Sequence, residues 1–217
     1  LEIGCGPGLD VEWFAQHFPE SSIKGVDISP EMVNLARKRI EKAQLSNAEL
    51  LVLNENELLD QFGQSSFDMI YVYFGALNTV ADLSKSAETL YKILEPGGHM
   101  VLTFVNKWYL REMIVQALKL NPGAAFARLK KEWGGYSTSR HLPSRCYSPS
   151  EIYHHFRQFD LLYQKGYSIF YPAWYNFKKF KGKETQLEKL WQKDQKAQNG
   201  FWWSKGEYAL YVFKKPD

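Results

Sequence analysis

The stretch that decides the fold is Leu1-Glu2-Ile3-Gly4-Cys5-Gly6-Pro7-Gly8. A short run of strand-forming residues leads into three alternating glycines, and a helical pattern begins directly after them. A strand, a tight turn and a helix start in this order turn backbone N–H groups and a helix N-terminus toward a bound ligand. Glycine is needed in such a turn because a Cβ atom would block the ligand or force a disallowed φ.

The spacing of the glycines separates two kinds of ligand. A dinucleotide fingerprint reads G-x-G-x-x-G and sets a pyrophosphate against the helix. Here the glycines are Gly4, Gly6 and Gly8, and position 9 is leucine. Glu2 also places a carboxylate in the strand just ahead of the turn, where it would repel a pyrophosphate. The sequence therefore disfavours a nicotinamide-dependent oxidoreductase and predicts a ligand with positive charge or amino groups.

Strand and helix patterns alternate along the rest of the chain, which predicts an α/β fold with a doubly wound sheet. Further strands are predicted over 22–27, 49–53, 67–73, 99–105, 161–170 and 207–214. Helices are predicted over 9–18, 30–43, 83–94, 148–159 and 184–197, with a helical stretch over 108–133 that breaks at 121–123. Ligands of such sheets bind at the carboxyl ends of the strands, where the glycine turn and Asp27 both fall.

The helical periodicity also predicts which faces are apolar. The first helix shows one apolar face. That face consists of Leu9, Trp13, Phe14, His17 and Phe18. The second helix is expected to turn Met32, Leu35, Ala36 and Ile40 inward. Residues 95–98 read as a turn that leads into the fifth strand.

At this point the sequence resembles the class I S-adenosylmethionine-dependent methyltransferases, whose first motif is a strand that reads E/D-x-G-x-G-x-G. The resemblance covers roughly residues 1–105 and, more weakly, 146–170 and 206–215. It implies a mostly parallel, seven-stranded, Rossmann-like sheet whose final strand is antiparallel.

The resemblance also implies how the chain is divided. Residues 1–217 would form a single methyltransferase domain whose cofactor-binding core spans 1–107. Residues 108–145 and 171–205 would be cap segments inserted over the site. Because Leu1 already lies in the first strand and no methionine precedes it, we expect an N-terminal segment to be missing from this sequence.

The implied cofactor is S-adenosyl-L-methionine, with S-adenosyl-L-homocysteine as its product. The implied cofactor-binding residues are Glu2, Gly4, Cys5, Gly6, Gly8, Asp27, Ile28, Met32, Asn54, Glu55, Phe74 and Gly75. Asp27 would accept both ribose hydroxyls, and the alternative is that it caps the next helix, for which Ser29 is better placed. Ile28 would lie on the adenine, and Met32 would either touch the adenine or belong to the core. Glu2 would bind the N–H groups of the turn, the methionine ammonium, or both.

Three positions depart from the family pattern or are candidates for a catalytic role. Asn54 stands where the family commonly has an aspartate that accepts from the adenine amine, and an asparagine accepts there without charge. Asn78, in the segment that would line the reaction centre, is a candidate catalytic polar group or a plain helix cap. His141, which lies in the cap with Arg140 and Arg145, is a candidate base or a surface residue. Those two arginines could hold an anionic group.

Composition limits the partners. The 217 residues are 45% hydrophobic with a net charge of +3, and residues 1–100 are acidic whereas the remainder is basic and rich in aromatic residues. No apolar run is long enough to cross a membrane, and two cysteines favour a reducing cytoplasm. The cap aromatic residues expected to wall an apolar acceptor site, if not in the core, are Trp108, Tyr109, Trp133, Tyr136, Tyr147, Tyr171, Trp174 and Tyr175.

The function predicted from these observations is methyl transfer to a small-molecule acceptor. An enzyme that methylates RNA or protein, and a catalytically silent S-adenosylmethionine-binding module, are the alternatives. The lysines of 178–183 could touch RNA phosphates, although acidic residues follow them and a solvated loop is the favoured interpretation. No spacing of histidines or carboxylates suggests a metal, and the sequence does not predict an oligomeric state.

Overall fold

A computed structural model describes residues 1–133 and 143–217. Its centre is a seven-stranded sheet in the order β3-β2-β1-β4-β5-β7-β6. The strands are β1 (Glu2–Ile3), β2 (Ile23–Asp27), β3 (Ala48–Val52), β4 (Phe67–Val72), β5 (Leu94–Val105), β6 (Asp160–Tyr167) and β7 (Tyr208–Lys214). The first five strands pair in parallel, whereas β7 runs antiparallel to both β5 and β6. The predicted doubly wound, mostly parallel sheet with an antiparallel last strand is confirmed.

Helices connect the strands. They are α1 (Leu9–His17), α2 (Pro30–Lys42), α3 (Leu58–Phe62), α4 (Leu83–Ile93), α5 (Leu110–Leu118), α6 (Pro122–Ala125), α7 (Pro149–His155) and α8 (Glu184–Lys196). Local sequence explains their starts, since Ser29 and Asp82 cap α2 and α4 with their side chains. Ser148 and Glu151 form a reciprocal capping box at the start of α7.

The chain order of the strands creates a switch point beside β1. Strands β2 and β3 extend the sheet to one side of β1, and β4 and β5 extend it to the other. In doubly wound sheets a crevice opens at such a point, outside the carboxyl ends of the strands. The glycine turn leaves β1 at this crevice, so the topology places it at the centre of the edge where ligands bind.

The predicted apolar faces of the first two helices are wrong in part. On α1 the core residues are Val11 and Ala15, while Leu9, Trp13 and Phe18 are exposed. Apolar side chains surround this helix on several sides, so periodicity alone does not select the buried stripe.

A similar error affects α2. There Val33, Ala36 and Ile40 are buried, whereas Met32 and Leu35 lie at the surface. The stripe through Val33 packs with Cys5 and Val11 in a small core cluster below the glycine turn.

The fifth strand is longer than predicted. It begins at Leu94, and residues 95–98, which read as a turn, form an irregularity within it. Phe67 pairs with Leu94 and Met69 pairs with His99, so extra residues of β5 bulge out opposite β4. Gly97 accommodates the bulge with a φ of 75°.

Candidate active site

A cavity of about 580 Å³ opens at the carboxyl ends of β1, β2 and β4. Its size lies in the usual range for sites that hold a small molecule. The residues predicted to bind the cofactor that line this cavity are Glu2, Gly4, Cys5, Gly6, Asp27, Ile28, Asn54, Glu55, Phe74 and Gly75. The fold therefore brings together residues from four separate segments of the chain. Gly8 and Met32 do not line the cavity.

The three glycines of the turn serve different purposes. All have positive φ, with values of 74° at Gly4, 50° at Gly6 and 76° at Gly8. A Cβ on Gly4 would lie 2.6 Å from the Cβ of Ala76, and one on Gly8 would lie 2.8 Å from the Cβ of Ala36. A Cβ on Gly6 would meet nothing within 4 Å. Gly4 and Gly8 thus allow segments of the protein to pack closely, while Gly6 leaves space open on the cavity side.

The turn does not present free N–H groups to a ligand. The N–H groups of Gly4 and Cys5 both donate to the carbonyl of Val26, at 2.8 and 3.0 Å. The N–H of Gly6 donates to Asp27 Oδ2 at 2.9 Å, and that of Gly8 donates to the Cys5 carbonyl at 2.9 Å. The expectation that these groups face the ligand is wrong, because the turn is closed by its own bonds. A phosphate cradle made of these amides is therefore absent.

Glu2 is the most perturbed group of the cavity. Glu2 is 3% exposed, and its Oε2 atom has no hydrogen-bond partner among the residues that the structure describes. Burial, reinforced by the nearby charge of Asp10, raises the pKa of Glu2 to about 8. An orphaned carboxylate oxygen in a cavity requires a partner, and a ligand cation would supply one. This is the observation of the structure that fits the predicted ligand.

Asp27 holds the turn and the next helix start together. Besides accepting from Gly6, its Oδ1 accepts the N–H of Ser29 at 2.9 Å. Ser29 Oγ in turn accepts from Met32 N at 3.4 Å and caps α2, as its position in the sequence indicated. A carboxylate has about four acceptor sites, so Asp27 keeps capacity for ligand hydroxyls. Ile28 follows it with an exposed apolar side chain on the cavity wall.

Asn54 does not offer an uncommitted carbonyl oxygen. Its Oδ1 accepts from the backbone N and from Nδ2 of Asn56, both at 3.0 Å. Its own N–H donates to Glu57 Oε2 at 2.8 Å, which completes a capping box for the short 3₁₀ helix Glu55–Glu57. The side chain therefore shapes the cavity wall by fixing this turn.

Phe74 and Gly75 follow β4 in the left-handed region. Their φ values are 54° and 82°, and an aromatic residue in this region is strained. The backbone reversal leaves the Phe74 side chain 74% exposed and places it on the cavity wall. Cys5 also lines the cavity, but burial raises the pKa of its thiol to about 12, which leaves it unsuited to act as a nucleophile.

The structure contradicts the catalytic role predicted for Asn78. This residue is buried and does not line the cavity. Its Oδ1 accepts from Val105 N at 2.9 Å, and its Nδ2 donates to the carbonyls of Val105 and Arg145 at 3.3 and 2.5 Å. Every polar atom of the amide thus joins β5 to the segment before α7. Asn78 is a structural tether, and His141, the other candidate, lies outside the described residues.

Gly8 and Met32, also predicted to bind the cofactor, lie outside the lining of this cavity. Gly8 packs against Ala36 behind the turn, where it lets α1 and α2 approach each other. Met32 is 40% exposed on α2 and contributes neither to the cavity nor to the core, because the stripe of α2 that faces inward is the one through Val33.

A second cavity, of about 790 Å³, adjoins the first. The two share Asp10, Tyr73 and Phe74. Aromatic side chains dominate its walls. They are Tyr73, Phe74, Tyr167, Tyr171, Phe177, Trp191 and Tyr208.

Several of these wall residues come from the cap segment 171–205, whereas no described residue of 108–133 or 143–145 lines either cavity. Sequence reasoning missed Asp10 and Tyr73, although the acid two residues after the last glycine of the turn was a visible signal.

Of the two arginines expected to hold an anion, Arg145 does not line the second cavity. Arg145 pairs with Glu151, with Nη2 and Oε1 3.0 Å apart, and lies over the ring of Tyr147. Arg140 falls outside the described residues. Within residues 1–133 and 143–217, no cluster of three or more metal-ligating side chains is present. Over the same residues, every helix is too short or too polar to reach across a membrane.

Residues 1–100 match the sequence model of a family described as a methyltransferase domain. Over these residues, the chain is similar to methyltransferase domains. The resemblance recognised from the glycine turn is thereby confirmed at the level of the family.

A curated relative supports the same assignment. The demethylmenaquinone methyltransferase of Listeria welshimeri is 35% identical over 101 residues, which amount to 46% of this chain and 42% of that protein. The chain thus spans less than half of the length of that relative.

Solved structures extend the likeness in fold to the whole chain. An S-adenosylmethionine-dependent methyltransferase of Mesorhizobium loti covers 98% of this chain and 88% of its own, with a TM-score of 0.62 and 17% identity. Phosphoethanolamine N-methyltransferase 2 of Haemonchus contortus, in complex with phosphomonomethylethanolamine and S-adenosylhomocysteine, covers 100% of this chain and 48% of its own, with a TM-score of 0.63 and 17% identity.

Proposed function

We propose that this chain is an S-adenosylmethionine-dependent methyltransferase that acts on a small-molecule acceptor. The observation that carries the proposal is the buried carboxyl group of Glu2, one oxygen of which has no hydrogen-bond partner among the described residues, in a cavity at the switch point of the sheet. A cationic amino-acid ligand favours the charged form of that carboxyl group and pairs with it, whereas a pyrophosphate supplies no positive charge to offset its burial. The closed bonds of the glycine turn agree with a ligand that brings no phosphate.

Each part of the proposed cofactor has a matching part of the cavity. Glu2 binds the methionine ammonium. Asp27 accepts the ribose hydroxyls through the acceptor sites that the turn leaves open, and each charged hydrogen bond contributes about 1.5–3 kcal/mol. Ile28 packs its apolar side chain against the adenine. Gly6 and Gly75 leave the backbone bare where the ligand comes closest.

Catalysis in this proposal consists of positioning and desolvation. When bound, S-adenosylmethionine supplies an activated methyl group on a sulfonium. The rings of Tyr73 and Phe74, which both cavities share, exclude water at the junction and attract a cation by their π faces. Burial raises the pKa of Tyr73 and keeps it protonated, so it holds its place there as a neutral ring. The chain thereby aligns donor and acceptor along one line.

Calorimetric titration with S-adenosylmethionine and S-adenosylhomocysteine tests the cofactor. Asp27→Ala and Asp27→Asn should weaken the affinity for both ligands about tenfold or more, because they remove a charged acceptor. Asp60→Asn, on the exposed surface of α3 and away from both cavities, is the matched control. Absence of binding to the wild type, or equal affinity of all variants, would overturn the proposal.

Transfer to an acceptor separates the alternatives. Enzymes that act on RNA bind with a steep dependence on salt, because phosphate contacts release counterions. The lysines of 178–183 are exposed and lie outside both cavities. We therefore expect methyl-labelled cofactor to modify small acceptors with little salt dependence. Labelling of RNA or protein alone would reassign the substrate, and cofactor binding without any transfer would indicate a silent module.

A further inference from the structure

The second cavity adjoins the proposed cofactor site at a single junction. Asp10, Tyr73 and Phe74 line both cavities, so a group that occupies the second one reaches the contents of the first there. The volume of about 790 Å³ is large enough for a drug-sized molecule. An inference about this cavity rests on the proposed function, since it concerns the molecule that receives the methyl group.

The walls of the second cavity favour an aromatic or other apolar body. Tyr171 packs against the rings of Phe177 and Trp191, with centroids 5.7 and 6.0 Å away, which builds a continuous aromatic wall. Tyr208 packs edge-on to Phe74 at the opposite end, with centroids 6.4 Å apart. Flat apolar molecules bury area against such rings and stack on them. The same π faces attract organic cations.

The charged side chains of this cavity are all acidic among the residues described. They are Asp10, Asp194 and Glu207, with no lysine or arginine in the lining. Asp194 accepts the N–H groups of Ile169, Phe170 and Tyr171, at 3.1, 2.6 and 3.1 Å, and is thereby satisfied.

Glu207 pairs with Arg128 at 3.7 Å, so its charge is also compensated. An anionic acceptor would meet two compensated acids and one free acid, with no cation to hold it.

Asp10 is the acid that remains available. It lies in the first turn of α1, where the helix dipole favours its charge. Its side chain forms no hydrogen bond or ion pair with any described residue. Its position on both cavities puts the free carboxylate beside the point where a methyl group would be transferred. A basic group of the acceptor would be drawn to the same point.

We propose that the second cavity takes the methyl acceptor, and that this acceptor is an amine carried on an aromatic or apolar body without an anionic group. Asp10 binds the ammonium form and holds the nitrogen at the junction. The aromatic wall binds the body of the molecule. A carboxylate or phosphate on the acceptor is rejected by the acidic lining.

The chemical step balances without a further reactant. The bound ammonium loses one proton to solvent, a loss that the adjacent sulfonium charge favours. The lone pair of the nitrogen then forms the new N–C bond. The C–S bond breaks at the same time, and the electron pair of the C–S bond stays on sulfur. A sulfonium and a neutral amine thus give a thioether and a methylammonium. Asp10 stabilises the charge that appears on the nitrogen.

Binding measurements test the class of acceptor without turnover. Wild-type protein saturated with S-adenosylhomocysteine is titrated with 2-phenylethylamine, 2-phenylethanol and 3-phenylpropionate, which share a ring and differ in the terminal group. We expect the amine to bind about tenfold more tightly than the alcohol, and the carboxylate to bind weakest. Asp10→Asn should remove the preference for the amine and leave the affinity for the alcohol within about twofold. Asp60→Asn should keep the wild-type order.

The outcomes separate this inference from the proposed function. Failure of the wild type to bind S-adenosylhomocysteine overturns the proposed function. Binding of S-adenosylhomocysteine with no preference for the amine, or a preference that survives Asp10→Asn, overturns only the inference about the acceptor. The affinity of Asp10→Asn for S-adenosylhomocysteine is measured separately, so that saturation is assured in every titration.

Discussion

The substitution Glu2→Gln separates the effect of the buried carboxyl group on folding stability from its effect on ligand binding. In the free protein the carboxyl of Glu2 has a pKa near 8, against 4.5 for an unburied glutamate, because burial disfavours its charged form. The folded state therefore binds the proton more tightly than the unfolded state. The stability that this proton supplies is fully present below the pKa of Glu2 in the unfolded state. It is lost as the pH rises through the pKa of Glu2 in the folded state. A glutamine keeps the shape and has no proton to lose.

The size of the effect follows from the same shift. Between about pH 5.5 and about pH 8.5 the folding free energy of the wild type should fall by about 3 kcal/mol relative to Glu2→Gln, at 1.36 kcal/mol for each full unit of separation. For a chain of this size that corresponds to a melting temperature lower by about 6–12 °C. Asp10, the charge that raises the pKa of Glu2 further, is common to both proteins.

The assay combines unfolding with ligand binding. Thermal or urea unfolding is followed at both pH values, with Glu20→Gln, an exposed carboxylate, as the control. Saturating S-adenosylmethionine should restore most of the stability that the wild type loses at high pH, because the ligand ammonium pairs with the charged Glu2. The variant should gain less. Equal pH dependence of wild type and Glu2→Gln would refute the buried-charge argument, and equal stabilisation by ligand would refute the role of Glu2 in binding.

Four other substitutions give equally specific expectations. Gly6→Ala should lower the folding free energy by only about 1–2 kcal/mol, because alanine is strained at the left-handed φ of this position. It should weaken cofactor affinity about tenfold or more in calorimetry, because the new Cβ enters the cavity. Gly8→Ala should destabilise more in urea unfolding, because its Cβ meets Ala36, and a milder effect than that of Gly6→Ala would contradict the packing. Asn78→Ala should lower the folding free energy by about 2–4 kcal/mol while cofactor affinity, measured on the folded fraction, stays within about twofold; a selective loss of binding would restore its catalytic role. Asp194→Ala should destabilise by about 1.5–3 kcal/mol and weaken the binding of aromatic ligands in the second cavity, and unchanged ligand affinity would show that this wall is not needed.

Much of the cofactor half could be predicted because its signals are local. The residues of the glycine turn are adjacent in sequence, and the need for positive φ at Gly4 and Gly6 selects glycine directly. Asp27 was found because it lies at the end of a strand and parallel strands end at a common edge, and Phe74 because its segment resembles the one that follows the fourth strand in the family. The cavity that joins these residues follows from strand order alone.

The errors arose where a residue's neighbours are distant in sequence. Asn78 lies in the segment expected at the reaction centre, but contacts with Val105 and Arg145 turn its amide into the core. Met32 and Val33 are adjacent on α2 and both are apolar. Val33 is buried because it packs in the core cluster that contains Val11, whereas Met32 is exposed. Helical periodicity predicts that a helix has an apolar face. Which face is buried depends on how the helix packs against the rest of the fold.

By itself the sequence determined the class of sheet and the turn at its centre, because both depend on residue type and short spacing. Only the tertiary structure decided that the amides of the turn are already bonded, that one carboxylate oxygen of Glu2 is buried without a hydrogen-bond partner among the described residues, and that Asp10 lines two cavities. These properties depend on what surrounds a group in space. Burial and the absence of a partner set the energy of a charge, and a linear pattern does not specify either one.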